Sequence, residues 1–113
     1  MSVATKRYCL ALDLKDDAAL ISEYERWHKN VWHEIRESIT NAGVVTMEIY
    51  RTGNRLFMIM ETDHTFSFER KNAMDNNNHK VLEWETLMLK FQQPLSWAKD
   101  GEKWIVMDKI FSL

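Results

Sequence analysis

A chain of 113 residues that is 45% apolar and 28% charged holds enough apolar side chain for one packed domain over residues 1–113, and is too hydrophobic for intrinsic disorder. Three Gly and one Pro exclude collagen-like and Pro-rich sequence, and a formal charge of −2 lacks the basic excess that marks a nucleic-acid binder. A single cysteine, Cys9, excludes an intrachain disulfide and a cysteine-built zinc site.

Arg7–Leu14 reads as a strand, because Tyr8, Leu10, Leu12 and Leu14 alternate with Arg7, Cys9, Ala11 and Asp13. Asp16 or Asp17 caps a long helix predicted from Ala18 to Asn41, and Gly43 closes it as a left-handed cap. Val44–Arg51 and Arg55–Glu61 read as two strands around a Thr52-Gly53-Asn54 turn. Thr65 to Met74 is a short helix with Thr65 as its cap. Asn76–Phe91 is a second helical block, capped by one of the asparagines and stopped by Pro94. Gln92–Gly101 reads as a loop and Trp104–Phe111 as the last strand.

The longest apolar runs, such as Leu56–Met60, reach only strand length, so no membrane span is expected. The basic residues of Met1–Arg7 are not followed by the apolar h-region of a secretory signal, because Asp13, Lys15, Asp16 and Asp17 interrupt. A cytoplasmic location is the resulting expectation.

The order β-α-β-β-α-β predicts an α+β, ferredoxin-like split βαβ fold with a four-stranded antiparallel sheet. Leu56, Met58 and Met60 alternate with Phe57 and Ile59, so the sheet is apolar on both faces. A one-sided sheet would alternate with polar residues. A homodimer is therefore expected, as a dimeric α+β barrel or through a shared edge.

On the first helix, Leu20, Tyr24, His28, Val31, Trp32 and Ile35 fall on one stripe within about 140° of arc. His28 is the ionisable group of that stripe whose ordinary pKa lies near neutrality, with Tyr24 one turn before it and Trp32 one turn after. Two readings fit. One is a core histidine satisfied by Tyr24 and a backbone carbonyl. The other is a general acid–base residue facing a pocket, with Tyr24 orienting it and Trp32 or Trp27 lying on the apolar face of a sugar. His33, His64 and His79 read as surface residues, and no His or carboxylate spacing suggests a metal site. Glu48 and Glu61 read as a solvated edge or cross-strand partners of Arg51 or Arg55, or else as pocket-lining carboxylates.

These segments resemble the L-rhamnose mutarotase family over nearly the whole chain. The carrying residues are Tyr24-x3-His28-x3-Trp32-x-Glu34-Ile35, Gly43 followed by Glu48-Ile49-Tyr50, Leu56–Glu61, Trp84-x3-Met88 and Ile110–Leu113. The resemblance implies a ferredoxin-like homodimer that interconverts sugar anomers without a cofactor. It implies His28 as catalytic proton donor, with Tyr24 and Trp84 contacting sugar. Met47 stands where the rhamnose enzymes carry a second tyrosine, and Glu85 where they carry the second Trp of a pair. The Lys6–Leu10, Met47–Arg51 and Phe66–Lys71 segments look more like the branch assigned to L-fucose. L-fucose is therefore the expected substrate, with L-rhamnose second. A cofactor-free oxygenase or dehydratase, or a non-enzymatic ligand-binding module, are the other functions this scaffold permits.

Overall fold

A computed structural model describes residues 4–113; the first three residues of the Met1–Arg7 stretch lie outside it. Strand β1 spans Lys6–Leu14, and its alternation buries Leu10, Leu12 and Leu14 on one face. Helix α1, Ala18–His28, starts where Asp17 Oδ1 accepts from the Leu20 N–H at 3.0 Å. This settles the cap on Asp17.

The single helix predicted for Ala18–Asn41 is in fact two. Helix α1 stops at His28, and α2 runs from His33 to Asn41. Neither Gly nor Pro marks the break. Tertiary packing accounts for it. On one straight helix, Trp27 and Trp32 would point about 140° apart. With the chain turned at residues 29–32, their rings meet edge-to-face at 6.4 Å, and Trp32 reaches Trp84 at 5.1 Å. Aromatic pairs in this geometry gain about 0.5–1.5 kcal/mol each beyond the area they bury.

Gly43, at φ +100°, turns the chain into β2, Val44–Thr52. A tight turn, with Gly53 at φ +57°, leads to β3, Arg55–Thr62. Helix α3, Phe68–Asn76, is capped by Ser67, whose Oγ accepts from the Arg70 N–H at 3.0 Å. Thr65, the expected cap, instead lies in the preceding turn, its Oγ1 donating to Asp63. Helix α4, His79–Leu89, is capped by Asn78, which accepts from the Lys80 and Val81 N–H groups.

The sheet order is β2-β3-β1-β4, the ferredoxin-like arrangement, with the last position divided. Strand β4, Gln92–Gln93, pairs with Asp13 and Leu14. Strand β5, Ile105–Val106, pairs with Ala11 and Leu10. The predicted strand Trp104–Phe111 is thus only two residues long, and the predicted loop Gln92–Gly101 begins with a strand. Two backbone bridges to β1 share the work expected of one.

Helices cover the face carrying Leu10, Leu12, Leu56, Met58 and Met60. The opposite face is mixed. Phe57 and Ile59 are half-buried there, and Tyr50 is exposed. Arg7 donates to Glu61, and Arg55 to Asp13, each at 2.8 Å. Among the described residues no helix is long and apolar enough to cross a membrane.

Candidate active site

The helix side of the sheet holds two apolar clusters. The larger gathers Tyr24, Ile35, Val81, Trp84, Met88 and Phe91 with Leu14 and Leu56. The smaller gathers Leu10, Val44, Met58 and Met60. Trp104, Ile39 and Ile49 pack against both.

His28 ends α1 at the edge of the larger cluster, half-buried. Its Nδ1–H donates to the Tyr24 carbonyl at 2.8 Å. A carbonyl only accepts, so in the neutral ring Nε2 carries the lone pair. The Tyr24 ring lies 4.2 Å from the imidazole, tilted by 34°, and the Trp84 ring meets it edge-to-face at 5.7 Å. Burial holds the His28 pKa below 6.5, partly opposed by the bond to the Tyr24 carbonyl. An imidazole in this wall of rings is a neutral base at pH 7.

Tyr24 is 4% exposed. Burial pushes its phenol well above the ordinary range; the Gln92 amide pulls it down and the Glu85 charge pushes it further up. It therefore stays protonated, and offers a hydroxyl rather than a phenolate.

The sequence-predicted residues are distributed as follows. Tyr24, His28 and Trp84 come together in one aromatic wall. Trp32, beyond the helix break, meets Trp84 and Trp27, so the i,i+4 neighbourhood with His28 that an unbroken helix would give is not formed. It also lines a shallow depression of about 330 Å³ with Asn30 and Lys80, outside the His28 wall. Glu85 follows Trp84 on α4 and binds Lys103 at 2.7 Å. Met47 packs on the smaller cluster, opposite Met60 in the sheet register. Glu48 accepts from the Tyr50 hydroxyl, and Glu61 from Arg7 and Thr5. Both carboxylates lie on the sheet face away from His28, and neither takes the predicted Arg51 or Arg55 partner. Arg51 binds Glu25, and Arg55 binds Asp13. His33 is exposed and paired with Glu37.

Sequence reasoning missed Gln92, Lys103 and Trp104. Gln92 is 8% exposed, next to buried Phe91, and among the described residues its Oε1 has no hydrogen-bond partner. Burying such an oxygen unpaired costs about 1–3 kcal/mol. A polar residue directly after Phe91, at the end of the mostly apolar Leu87–Phe91 segment that Lys90 alone interrupts, was the available signal.

Residues 7–113 match the L-rhamnose mutarotase family. A protein of Xanthomonas campestris pv. campestris named L-fucose mutarotase is 42% identical over 113 residues, covering 98% of this chain and 90% of that protein. A UPF0734 protein of Dictyostelium discoideum is 38% identical over 115 residues, covering 96% of this chain and 90% of that one. The crystal structure of an L-rhamnose mutarotase from Formosa agariphila is similar with a TM-score of 0.71 at 19% identity, over 96% of this chain and 98% of its own. A dimeric ferredoxin-like protein from an uncultured marine organism gives 0.53 at 13% identity, over 96% and 92%. The two structural likenesses establish the fold. Fold and relatives together define a ferredoxin-like isomerase of the mutarotase class. The chain belongs to the L-rhamnose mutarotase family.

Proposed function

We propose that this protein is a cytoplasmic, homodimeric mutarotase for a 6-deoxy-L-hexose, acting on L-fucose ahead of L-rhamnose, with residues 1–113 working as one unit. The observation that carries the reading is the free Nε2 of His28, held neutral in an aromatic wall beside the Tyr24 phenol. The similarity to a protein named L-fucose mutarotase supports the choice of sugar. Homodimerisation rests on the half-covered outer sheet face and on the name of the dimeric ferredoxin-like neighbour.

Mutarotation opens the pyranose and closes it on the other face of C1. His28 Nε2 takes the proton of the anomeric hydroxyl. The O1–H electrons become the C1=O bond, and the C1–O5 bond breaks toward O5. O5 receives a proton from the Tyr24 hydroxyl or from an ordered water. After rotation about C1–C2, closure reverses each transfer, and His28 then acts as the proton donor. Trp84 offers an apolar edge to the sugar's C–H face or methyl group, with Trp32 behind it. Glu85 accepts hydrogen bonds from hydroxyls, and Met47 supplies an apolar wall. Because the sugar also mutarotates unaided in water, a positioned acid–base worth roughly 10²–10⁴-fold is sufficient.

Saturation exchange between anomers, followed by NMR on a sugar panel, tests this directly. The protein should accelerate exchange of L-fucose most, and His28→Ala should lower the rate by about 10²-fold or more. An oxygenase, a dehydratase or a binding module would accelerate no exchange. Near wild-type exchange in a folded His28→Ala variant would remove the histidine from the mechanism.

A further inference from the structure

Lys103 reaches the site from the far end of the chain. Gly101, at φ +83°, turns the segment, and Trp104 then packs against both apolar clusters. Ile105 and Val106 pair with β1, and the Met107 N–H donates to the Cys9 carbonyl at 2.7 Å. The root of the Lys103 side chain is therefore fixed. Its Nζ meets Glu85 Oε2 at 2.7 Å, the two side chains being 29% and 46% exposed. A half-exposed pair of this kind adds little to stability, because screening and the ordering of two long side chains offset the attraction. Its position is more informative. Glu85 adjoins Trp84, which touches His28, and its charge is felt by the Tyr24 phenol. The other lysines near this wall are engaged elsewhere: Lys80 with Glu83 and the Trp32 ring, Lys90 with Glu23.

An ammonium only donates hydrogen bonds, and a carboxylate only accepts them. Set 2.7 Å apart, they present a donor and an acceptor at the spacing of neighbouring sugar hydroxyls. We propose, building on the mutarotase reading, that Lys103 is a sugar-binding residue that clamps two vicinal hydroxyls together with Glu85 and so selects among 6-deoxy-L-hexoses. L-fucose carries its cis hydroxyl pair at C3 and C4, and L-rhamnose at C2 and C3. A clamp fixed relative to His28 can match one of these arrangements at a time. The methyl group is common to both sugars and cannot distinguish them.

Anomer exchange with L-fucose, L-rhamnose, and 3-deoxy and 4-deoxy analogues of L-fucose tests the clamp. Lys103→Met should raise KM for L-fucose about tenfold or more, and lower the L-fucose to L-rhamnose efficiency ratio by a similar factor. Its penalty should shrink on the deoxy analogue that lacks the clamped hydroxyl. Lys103→Arg should recover most of the loss. Thermal melting checks that the variants fold, and Lys103→Gln gives a second reading should Lys103→Met melt early. An equal loss on every sugar would assign the pair a structural role and overturn the clamp, as would no loss on any. L-fucose binding by saturation-transfer NMR, read on the same variants, decides the clamp independently of turnover. Absence of exchange with the wild-type protein on any sugar would instead overturn the mutarotase reading, so the two failures are distinguishable.

Discussion

The imidazole of His28 donates from Nδ1 to the carbonyl of its own helix four residues back, and that bond orients the ring and fixes its tautomer. Burial then keeps the ring neutral by lowering its pKa below 6.5. Two pH effects follow, with the same sign. The unfolded chain binds the proton at a higher pH than the folded one does, so the stability His28 contributes is complete above about 6.5 and is lost as the pH falls toward the lower folded pKa. Activity that needs the free Nε2 should be level from pH 8 to about 6.5 and should decline only below that, with its midpoint under the ordinary histidine value. Exchange rates corrected for the buffer background over pH 5–8 will show this; a rate that climbs through 6.5 on acidification would mean that the protonated ring starts the reaction. Tyr24 and His28 were legible in the sequence because a helical stripe and a family resemblance both reach them; Trp84, on another helix, was reached by the resemblance alone. Lys103 and Trp104 were not, because the turn at Gly101 brings them in and side-chain periodicity does not encode that turn; Gln92 was read only as the first residue of a loop, where it in fact pairs with Leu14.

Local punctuation was read correctly where a residue type dictates backbone shape. Gly43 is the clearest case: a Cβ there would lie 2.6 Å from Thr65 Oγ1 and 2.7 Å from Asp63 Oδ1, at a φ of +100°. The Gly43 carbonyl also accepts from the Asp63 N–H at 2.8 Å, and Arg70 donates to the Asn41 and Ala42 carbonyls at the end of α2. Gly43→Ala should therefore destabilise the fold by about 1–3 kcal/mol from backbone strain alone, measured as a lowered urea midpoint with an unchanged slope. An unaltered midpoint would show that the β3–α3 turn gives way at no cost. The break after His28 was illegible for the opposite reason. Its local sequence, Lys29-Asn30-Val31-Trp32, contains no Gly or Pro, and the decision is made by Trp84, more than fifty positions along the chain. The fourth strand was half legible: its apolar composition was right, but its pairing with β1 is confined to Ile105 and Val106.

At the level of the whole molecule, apolar surface remains that the helices do not cover. Ile110 is 95% exposed and Phe111 76%, and Tyr50 is 52% exposed on the outer sheet face beside Phe57 and Ile59. Surface of this kind marks an interaction site, and the proposed homodimer would cover it. Deleting residues 110–113 should convert a dimer into a species of half the mass at micromolar concentration, read by light scattering. A wild-type monomer at that concentration would count against the dimer. The divided last strand has a further bearing, on how the chain is made. The edge of β1 opposite β3 is closed at Leu10 and Ala11 by Ile105 and Val106, nearly the whole length of the chain away. The entropy of closing so long a loop grows only slowly with its length, but the partner must first exist. During synthesis that edge stays bare until residues 105–107 have been added. For that interval the nascent chain exposes a strand edge open to mispairing with a neighbour.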